Sequence, residues 1–257
     1  MASQTPVSVF ILSRNEEKKI GPALESVAWA AEVVLIDSFS TDRTAEIAAA
    51  HGARVVQIEF RKFGELRQAG IEHTTQPWIF SLDADERCTP EARDEILRIV
   101  ADPASADAYQ VPRRNILLGR RIRHGGWYPD YRQPQLFRRG RMNYAAEDDV
   151  HEGWALDGRL GQMRHPILQI PYATLSEAIA KMNRYSSLGV DRQVRVGASS
   201  GFAKAFLRAG WAFFRAYILQ LGFLDGGPGL VIAVLRFENS FYKHAKLVEH
   251  RLPPDGA

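Results

Sequence analysis

The chain has 257 residues, 46% of them hydrophobic, with 33 Lys+Arg against 30 Asp+Glu and a formal net charge of +3. Such a chain can bury a sizeable core, as one large domain or as a smaller domain with an appended region. Its single cysteine, Cys88, excludes an internal disulfide and any multi-cysteine zinc site; with the short polar lead before Val7 it predicts cytosolic residence.

Residues 7–12 read as a buried strand, and Ser13-Arg14-Asn15-Glu16 has capping-box spacing for a helix reaching about Trp29. A second apolar run, 33–36, ends at Asp37, and Ser40-Thr41-Asp42 then opens a helix that Gly52 stops. Residues 54–58 predict a third strand, 64–73 a third helix and 78–82 a fourth strand. Thr89-Pro90 supplies an N-cap and a first-turn proline for a helix to about Val100. This alternation implies an α/β fold, a mostly parallel sheet flanked by helices, with ligands bound outside the carboxyl ends of the strands. Arg14 to Glu16, Asp37 and Asp83 to Asp85 all fall at such ends, which points to one nucleotide-sized site.

The fourth strand runs directly into Asp83-Ala84-Asp85-Glu86. Alternate strand residues point the same way, so Asp83 and Asp85 can converge just past the strand end. Two hard oxygen donors with room for water suit Mg2+ or Mn2+ held against a diphosphate. Helix capping does not require them, because Thr89 already fills that position.

Residues 1–100 carry 11 Lys+Arg against 16 Asp+Glu, whereas residues 101–257 carry 22 against 14. The second part is therefore expected to face something anionic: phosphate, a phospholipid surface or nucleic acid. Residues 109–112 are strand-like, and a basic cluster follows, Arg113, Arg114, Arg120, Arg121, Arg123 and His124. From residue 176 the pattern is helical, and within 202–221 Lys204, Arg208 and Arg215 share one narrow stripe at helical spacing among Phe202, Phe206, Trp211 and Phe214. The apolar stretch 216–235 is broken by Asp225-Gly226-Gly227-Pro228, so each half is too short for a bilayer, which needs roughly 20 residues. Two arrangements fit: an in-plane helical hairpin on a membrane surface, or a helix pair packed on the catalytic domain or on a second subunit.

Three motifs, Ile11-Leu12-Ser13-Arg14-Asn15-Glu16-Glu17, Leu35-Ile36-Asp37-Ser38-Phe39-Ser40-Thr41-Asp42, and Ser81-Leu82-Asp83-Ala84-Asp85-Glu86, resemble the family 2 glycosyltransferases. That resemblance implies the GT-A fold and a nucleotide-sugar donor. Leu118-Gly119-Arg120, His124-Gly125-Gly126-Trp127-Tyr128-Pro129-Asp130-Tyr131, Leu136-Phe137-Arg138-Arg139, Val150-His151-Glu152 and Leu221-Gly222-Phe223-Leu224-Asp225-Gly226 resemble the branch that glycosylates lipopolysaccharide inner core, often described as β-1,4-glucosyltransferases. Arg132-Gln133-Pro134-Gln135 departs from that branch, and a proline in a strand there would lack a ladder donor.

The resemblance, with the strand-end logic, implies a donor site of Asn15, Glu16, Asp37, Arg67, Asp83, Ala84 and Asp85. Asp37 would accept hydrogen bonds from base or ribose; Asp83 would meet ribose or a metal-bound water, and Asp85 the metal. His151 completes the metal shell, contacts the diphosphate or is a structural histidine. An inverting displacement needs a base for the acceptor hydroxyl, here Glu152 with Asp149 as its rival. Trp127 and Tyr128 could form a platform for the acceptor sugar and Asp130 could bind its hydroxyls, while Arg120, Arg123 and His124 suit acceptor phosphates or lipid headgroups. The expected domains are residues 1–175, catalytic, with acceptor-side elements in 108–175, and residues 176–257, helical. The primary expectation is transfer of a hexose, glucose first, from a UDP-sugar to a lipid-linked or phosphorylated saccharide, by a protein peripheral at the cytoplasmic face of the inner membrane, with homo-oligomer contacts open. A polyprenyl phosphate acceptor is the alternative enzyme reading. A nucleic-acid-binding protein is not expected, because the cations form no recognised motif. An inactive scaffold is disfavoured by the intact Asp83 and Asp85.

Overall fold

The computed structural model describes residues 5–145, 153–195, 197 and 200–251. In chain order its elements are β1 (Val7–Ser13), α1 (Glu17–Glu25), β2 (Glu32–Asp37), α2 (Thr44–Ala50), β3 (Arg54–Gln57), α3 (Phe63–Glu72), β4 (Trp78–Asp83), β5 (Glu86–Arg87) and α4 (Pro90–Ala101). Then come β6 (Ala108–Gln110), β7 (Arg113–Leu117), β8 (Arg120–Arg121), β9 (Leu136–Arg138), β10 (Met142–Ala145), β11 (Gly153–Leu156), β12 (Leu160–Gln162) and β13 (Ile167–Gln169). Helices α5 (Leu175–Arg195), α6 (Phe202–Phe214) and α7 (Gly227–Glu249) complete it, with a π turn (Arg215–Leu219) and a 3-10 turn (Gly222–Asp225) between the last two. The chain divides into two compact units: residues 1–114 with 130–169, and residues 115–129 with 170–257.

The first unit has the α/β architecture that the alternating pattern predicts. Among the described residues seven strands form one sheet in the order β12-β6-β9-β4-β1-β2-β3. β1, β2, β3 and β4 run parallel, while β9 is antiparallel to both β4 and β6. Every residue of β1 is buried, as a central strand covered on both faces requires. Its alternation feeds two cores: Val7, Val9 and Ile11 join Ile20, Leu24, Ala92 and Ile96 of α1 and α4, and Phe10 and Leu12 join Leu66 and Ile71 of α3. Thr89 caps α4 as expected, its Oγ1 accepting from Ala92 N at 3.2 Å. Helix α1 is shorter than its spacing predicts, ending at Glu25 rather than near Trp29, whose indole N–H instead donates to Ser26 O at 3.0 Å.

Helix α3 lies against β1 closely enough to need a glycine. A Cβ on Gly70 would sit 2.5 Å from the ring of Phe10, which is fully buried. Gly70→Ala gains helix propensity but overpacks this contact, and a net loss of about 2 kcal/mol is expected in urea unfolding.

In the second unit Leu118-Gly119 turns the β7–β8 hairpin with both residues at positive φ (49° and 73°), the geometry of a type I′ turn. Leu117 and Ile122 pack with Ile232 of α7, and Trp127 and Tyr172 join them. Helices α5, α6 and α7 make up the rest; α6 turns only Ala205 and Ala209 fully inward.

Candidate active site

The parallel register sets Ser13 opposite Asp37 and Leu12 opposite Asp83, so three of the sequence-predicted segments leave the sheet side by side. The loops after β1 and β2 are then laced together. Asn15 N donates to Ser40 Oγ at 2.9 Å and Asn15 Oδ1 accepts from Thr41 N at 2.8 Å. Glu16 N donates to Thr44 Oγ1 at 2.9 Å, and Glu17 N to Asp42 Oδ2 at 3.1 Å. The Glu16 carboxylate is paired with Lys19 Nζ at 3.3 Å.

The capping-box reading of Ser13 does not hold. Ser13 is the last residue of β1, and its hydroxyl donates to Asp37 Oδ1 at 3.2 Å instead of closing α1. Asp37 is buried and also accepts from Ser40 N at 3.0 Å. It holds the β2 loop against β1.

β4 carries its pairing one residue past its end, with Ala84 N donating to Leu12 O at 3.2 Å. Arg67 reaches across from α3: its Nη2 donates to Asp83 Oδ1 at 2.9 Å and its Nη1 to Ser81 Oγ at 3.0 Å. Burial opposes the ionisation of Asp83, but the charges of Arg67, Arg113 and Arg132 outweigh it and hold the carboxyl below the usual range. Asp85 lies in the turn that follows, with Gln169 Nε2 3.5 Å from its Oδ1. The two carboxylates therefore have different surroundings, Asp83 clamped by an arginine and Asp85 in the turn.

Beneath them is a polar network that the sequence reading did not single out. Glu86, fully buried, accepts from Asp83 N at 3.0 Å and from Gln135 Nε2 at 2.9 Å on one oxygen, and from Arg113 Nε at 2.7 Å on the other. Arg113 is equally buried and donates from Nη1 to Asp130 O at 3.1 Å; its Nη2 has no protein partner. Arg113 thus belongs to the floor of the site rather than to an exposed basic cluster. The Arg132–Gln135 departure is also explained: Pro134 precedes β9, so no ladder donor is lost, and Gln135 braces Glu86.

Beside Asp37 a cavity of about 510 Å³ is lined by Arg14, Ser38, Phe39, Glu59 and Phe60. Ser38 Oγ is buried without a protein partner, and Phe39 is exposed at a positive φ of 51°. A bulky residue held in the left-handed region is a conformation that no local sequence pattern announces.

Asp85, with the ionised Asp83 beside it, has the hard-oxygen chemistry that Mg2+ or Mn2+ requires. Among the described residues no three His, Cys, Asp or Glu side chains gather to hold a metal. The expected third ligand, His151, and both base candidates, Asp149 and Glu152, lie outside the described residues. The paired strands β10 and β11, with Ala145 opposite Gly153, flank that stretch.

The acceptor-side residues divide between the units. Asp130, in the first, has a φ of +43° and accepts from Arg132 Nη2 at 2.7 Å. In the second, Asp225 organises the Arg123–His124 turn, accepting from Arg123 N at 3.1 Å, from His124 N at 2.8 Å and pairing with His124 Nδ1 at 3.1 Å. The Arg120 and Arg123 side chains are exposed, and the Arg121 guanidinium lies 5.3 Å from the ring of Tyr128. Trp127 lines a cavity of about 230 Å³ with Tyr172, Met182, Tyr185, Arg236 and Asn239, whose buried Oδ1 has no protein partner.

A site at the carboxyl ends of adjoining parallel strands is that of the α/β proteins that take their ligand beyond the strand ends. The chain belongs to glycosyl transferase family 2, whose model matches residues 8–155, and it is a glycosyltransferase. It is 31% identical to the lipopolysaccharide core biosynthesis glycosyltransferase LpsC of Rhizobium meliloti (strain 1021) over 95% of each chain. It is 27% identical to an uncharacterized glycosyltransferase of Rickettsia bellii, over 95% of this chain and 86% of that one. Glucosyl-3-phosphoglycerate synthase of Mycobacterium tuberculosis, solved with Mn2+ and UDP-glucose, is 24% identical with a TM-score of 0.38, over 42% of this chain and 43% of that chain.

Proposed function

We propose that this glycosyltransferase is an inverting, metal-dependent enzyme that moves a hexose, glucose in the first instance, from a UDP-sugar to a phosphorylated saccharide of the lipopolysaccharide inner core. The observation that carries the donor half is the cavity beside Asp37, with its unpartnered Ser38 hydroxyl and exposed Phe39, at the end of the strand that lies across β1 from the Asp83-Ala84-Asp85 turn. The nucleoside sits in that cavity against Phe39, and the diphosphate is directed toward Asp85. Asn15 and Glu16 hold the loop that shapes the cavity. The acceptor half rests on the similarity to LpsC and on the exposed cations Arg120 and Arg123.

A bound Mg2+ or Mn2+ would be held by Asp85, with Asp83 and His151 assisting, and would supply positive charge against the departing diphosphate. The acceptor oxygen attacks the anomeric carbon as the bond from that carbon to the diphosphate oxygen breaks, and the electron pair leaves with UDP. The hydroxyl proton passes to the carboxylate of Glu152, with Asp149 second. Arg67 keeps Asp83 ionised and oriented throughout. Trp127 and Tyr128 are the candidate contacts for the acceptor sugar within the second unit, where Asp225 holds His124.

The test is calorimetric titration of the full chain with UDP in Mn2+ and then in EDTA, followed by UDP-hexoses offered with lipopolysaccharide core fragments. Binding that requires the metal and transfer from UDP-glucose are the expected results. Folded protein that ignores UDP in both conditions would remove the donor assignment.

A further inference from the structure

Helix α6 is inside out. Its packed side is made of Ala205 and Ala209, with the Phe206 ring edge-on to Phe237 of α7 at 5.8 Å, while Leu207, 73% exposed, Trp211, 59%, and Phe214, 42%, face away from that side. An ordinary surface helix does the reverse, burying its leucines and aromatics and exposing its charges. At 100° per residue Leu207, Trp211 and Phe214 fall within about 60° of one another, on the side opposite the two buried alanines. The exposed cations Lys204, Arg208 and Arg215 run along the adjoining stripe. Leu219, Leu221, Phe223 and Leu224 continue the exposed apolar run through the π and 3-10 turns.

The charges identify what covers this face. From residue 202 to residue 224 there are three cations and no carboxylate. The first acid, Asp225, is buried and occupied by the Arg123–His124 turn. A second copy docked through the same face would set its cations against these, a like-charge contact. An anionic phospholipid surface fits both features, with aromatic and aliphatic side chains at the headgroup boundary and Lys and Arg beside lipid phosphates. Among the described residues no helix is long and apolar enough to cross a membrane, so α6 would lie in the plane of the surface.

We propose that α6 and the two turns after it dock this protein on an anionic phospholipid bilayer through Leu207, Trp211 and Phe214, with Lys204, Arg208 and Arg215 binding headgroups. The docking face is independent of the donor-site assignment, since none of these residues belongs to that site.

The test is co-sedimentation of the full chain with unilamellar vesicles of phosphatidylglycerol and phosphatidylethanolamine, against vesicles of phosphatidylcholine alone. The expected result is binding to the anionic vesicles that weakens as salt rises, with a blue shift in tryptophan emission that Trp211→Phe removes. Lys204→Gln, Arg208→Gln and Arg215→Gln together should weaken binding about 100-fold, at about fivefold for each cation. Leu207→Gln with Trp211→Gln should abolish it. UDP titration and circular dichroism of each variant separate loss of docking from loss of fold or of the donor site. Absence of vesicle binding by the parent, unaltered binding by the Leu207→Gln/Trp211→Gln variant, or a dimer in light scattering that this variant dissolves would each overturn the proposal.

Discussion

Glu86→Ala is expected to lower the unfolding free energy by about 4 kcal/mol, within the range for breaking a buried ion pair by removing one partner. Both members are out of water: the Glu86 and Arg113 side chains are 0% and 1% exposed, joined at 2.7 Å. Deleting the carboxylate leaves a buried guanidinium without its counter-charge, takes the acceptor from Asp83 N, and leaves Gln135 Nε2 with Ser81 O alone of its two acceptors. For a chain of this size that corresponds to a fall in melting temperature on the order of 10 °C. Glu86→Gln separates charge from shape. Its single carbonyl oxygen cannot serve donors on both sides, so its amide must confront one of them, and a loss of about 2–3 kcal/mol remains. Replacing both partners, Glu86→Leu with Arg113→Leu, should recover part of the deficit, because a buried pair costs desolvation that an apolar pair does not. The measurement is a double-mutant cycle by urea unfolding. If Glu86→Ala stays within 1 kcal/mol of the parent, the network is not what braces the turn.

That network shows where sequence reading stops. β1, β2 and β4 were legible because a strand buried on both faces is a continuous apolar run, and the end of such a run marks the carboxyl edge where Asp37 and Asp83 stand. Thr89-Pro90 and Gly52 were legible because caps act within a few residues. Gln135 reaches Glu86 because β9 enters the sheet antiparallel to β4, and Arg113 reaches it because β5 and β7 flank β13 in a separate sheet; no local spacing encodes a pairing across 49 or 27 residues. Ser13 misled for a related reason. Its spacing to Glu16 satisfies a capping box, but the parallel register offers its hydroxyl the Asp37 carboxylate, and the tertiary partner prevails. The inverted helix α6 was half legible, its cation stripe being visible in the sequence; which side of the helix packs is a matter of tertiary structure.

Asp85→Asn is expected to weaken Mn2+-dependent UDP binding by more than about 100-fold, since loss of an outer-shell partner alone costs metal sites 10–100-fold. The amide keeps the shape of the turn and removes the charge, so the melting temperature should move little. Asp83→Asn should behave differently. Arg67, almost fully buried, would face a neutral amide in place of the carboxylate, and both binding and stability should fall. Glu152→Gln completes the contrast: turnover drops roughly 10²–10⁴-fold, the usual contribution of a general base, while UDP affinity stays at the parent value. The three variants thus assign three roles by pattern: binding alone for Asp85, binding with stability for Asp83, turnover alone for Glu152. An Asp85→Asn protein that still binds UDP in the presence of Mn2+ but not of EDTA would move the metal to another carboxylate. A Glu152→Gln protein with full turnover would pass the acceptor proton to Asp149, or would identify the acceptor as a group such as a phosphate that has no proton to lose.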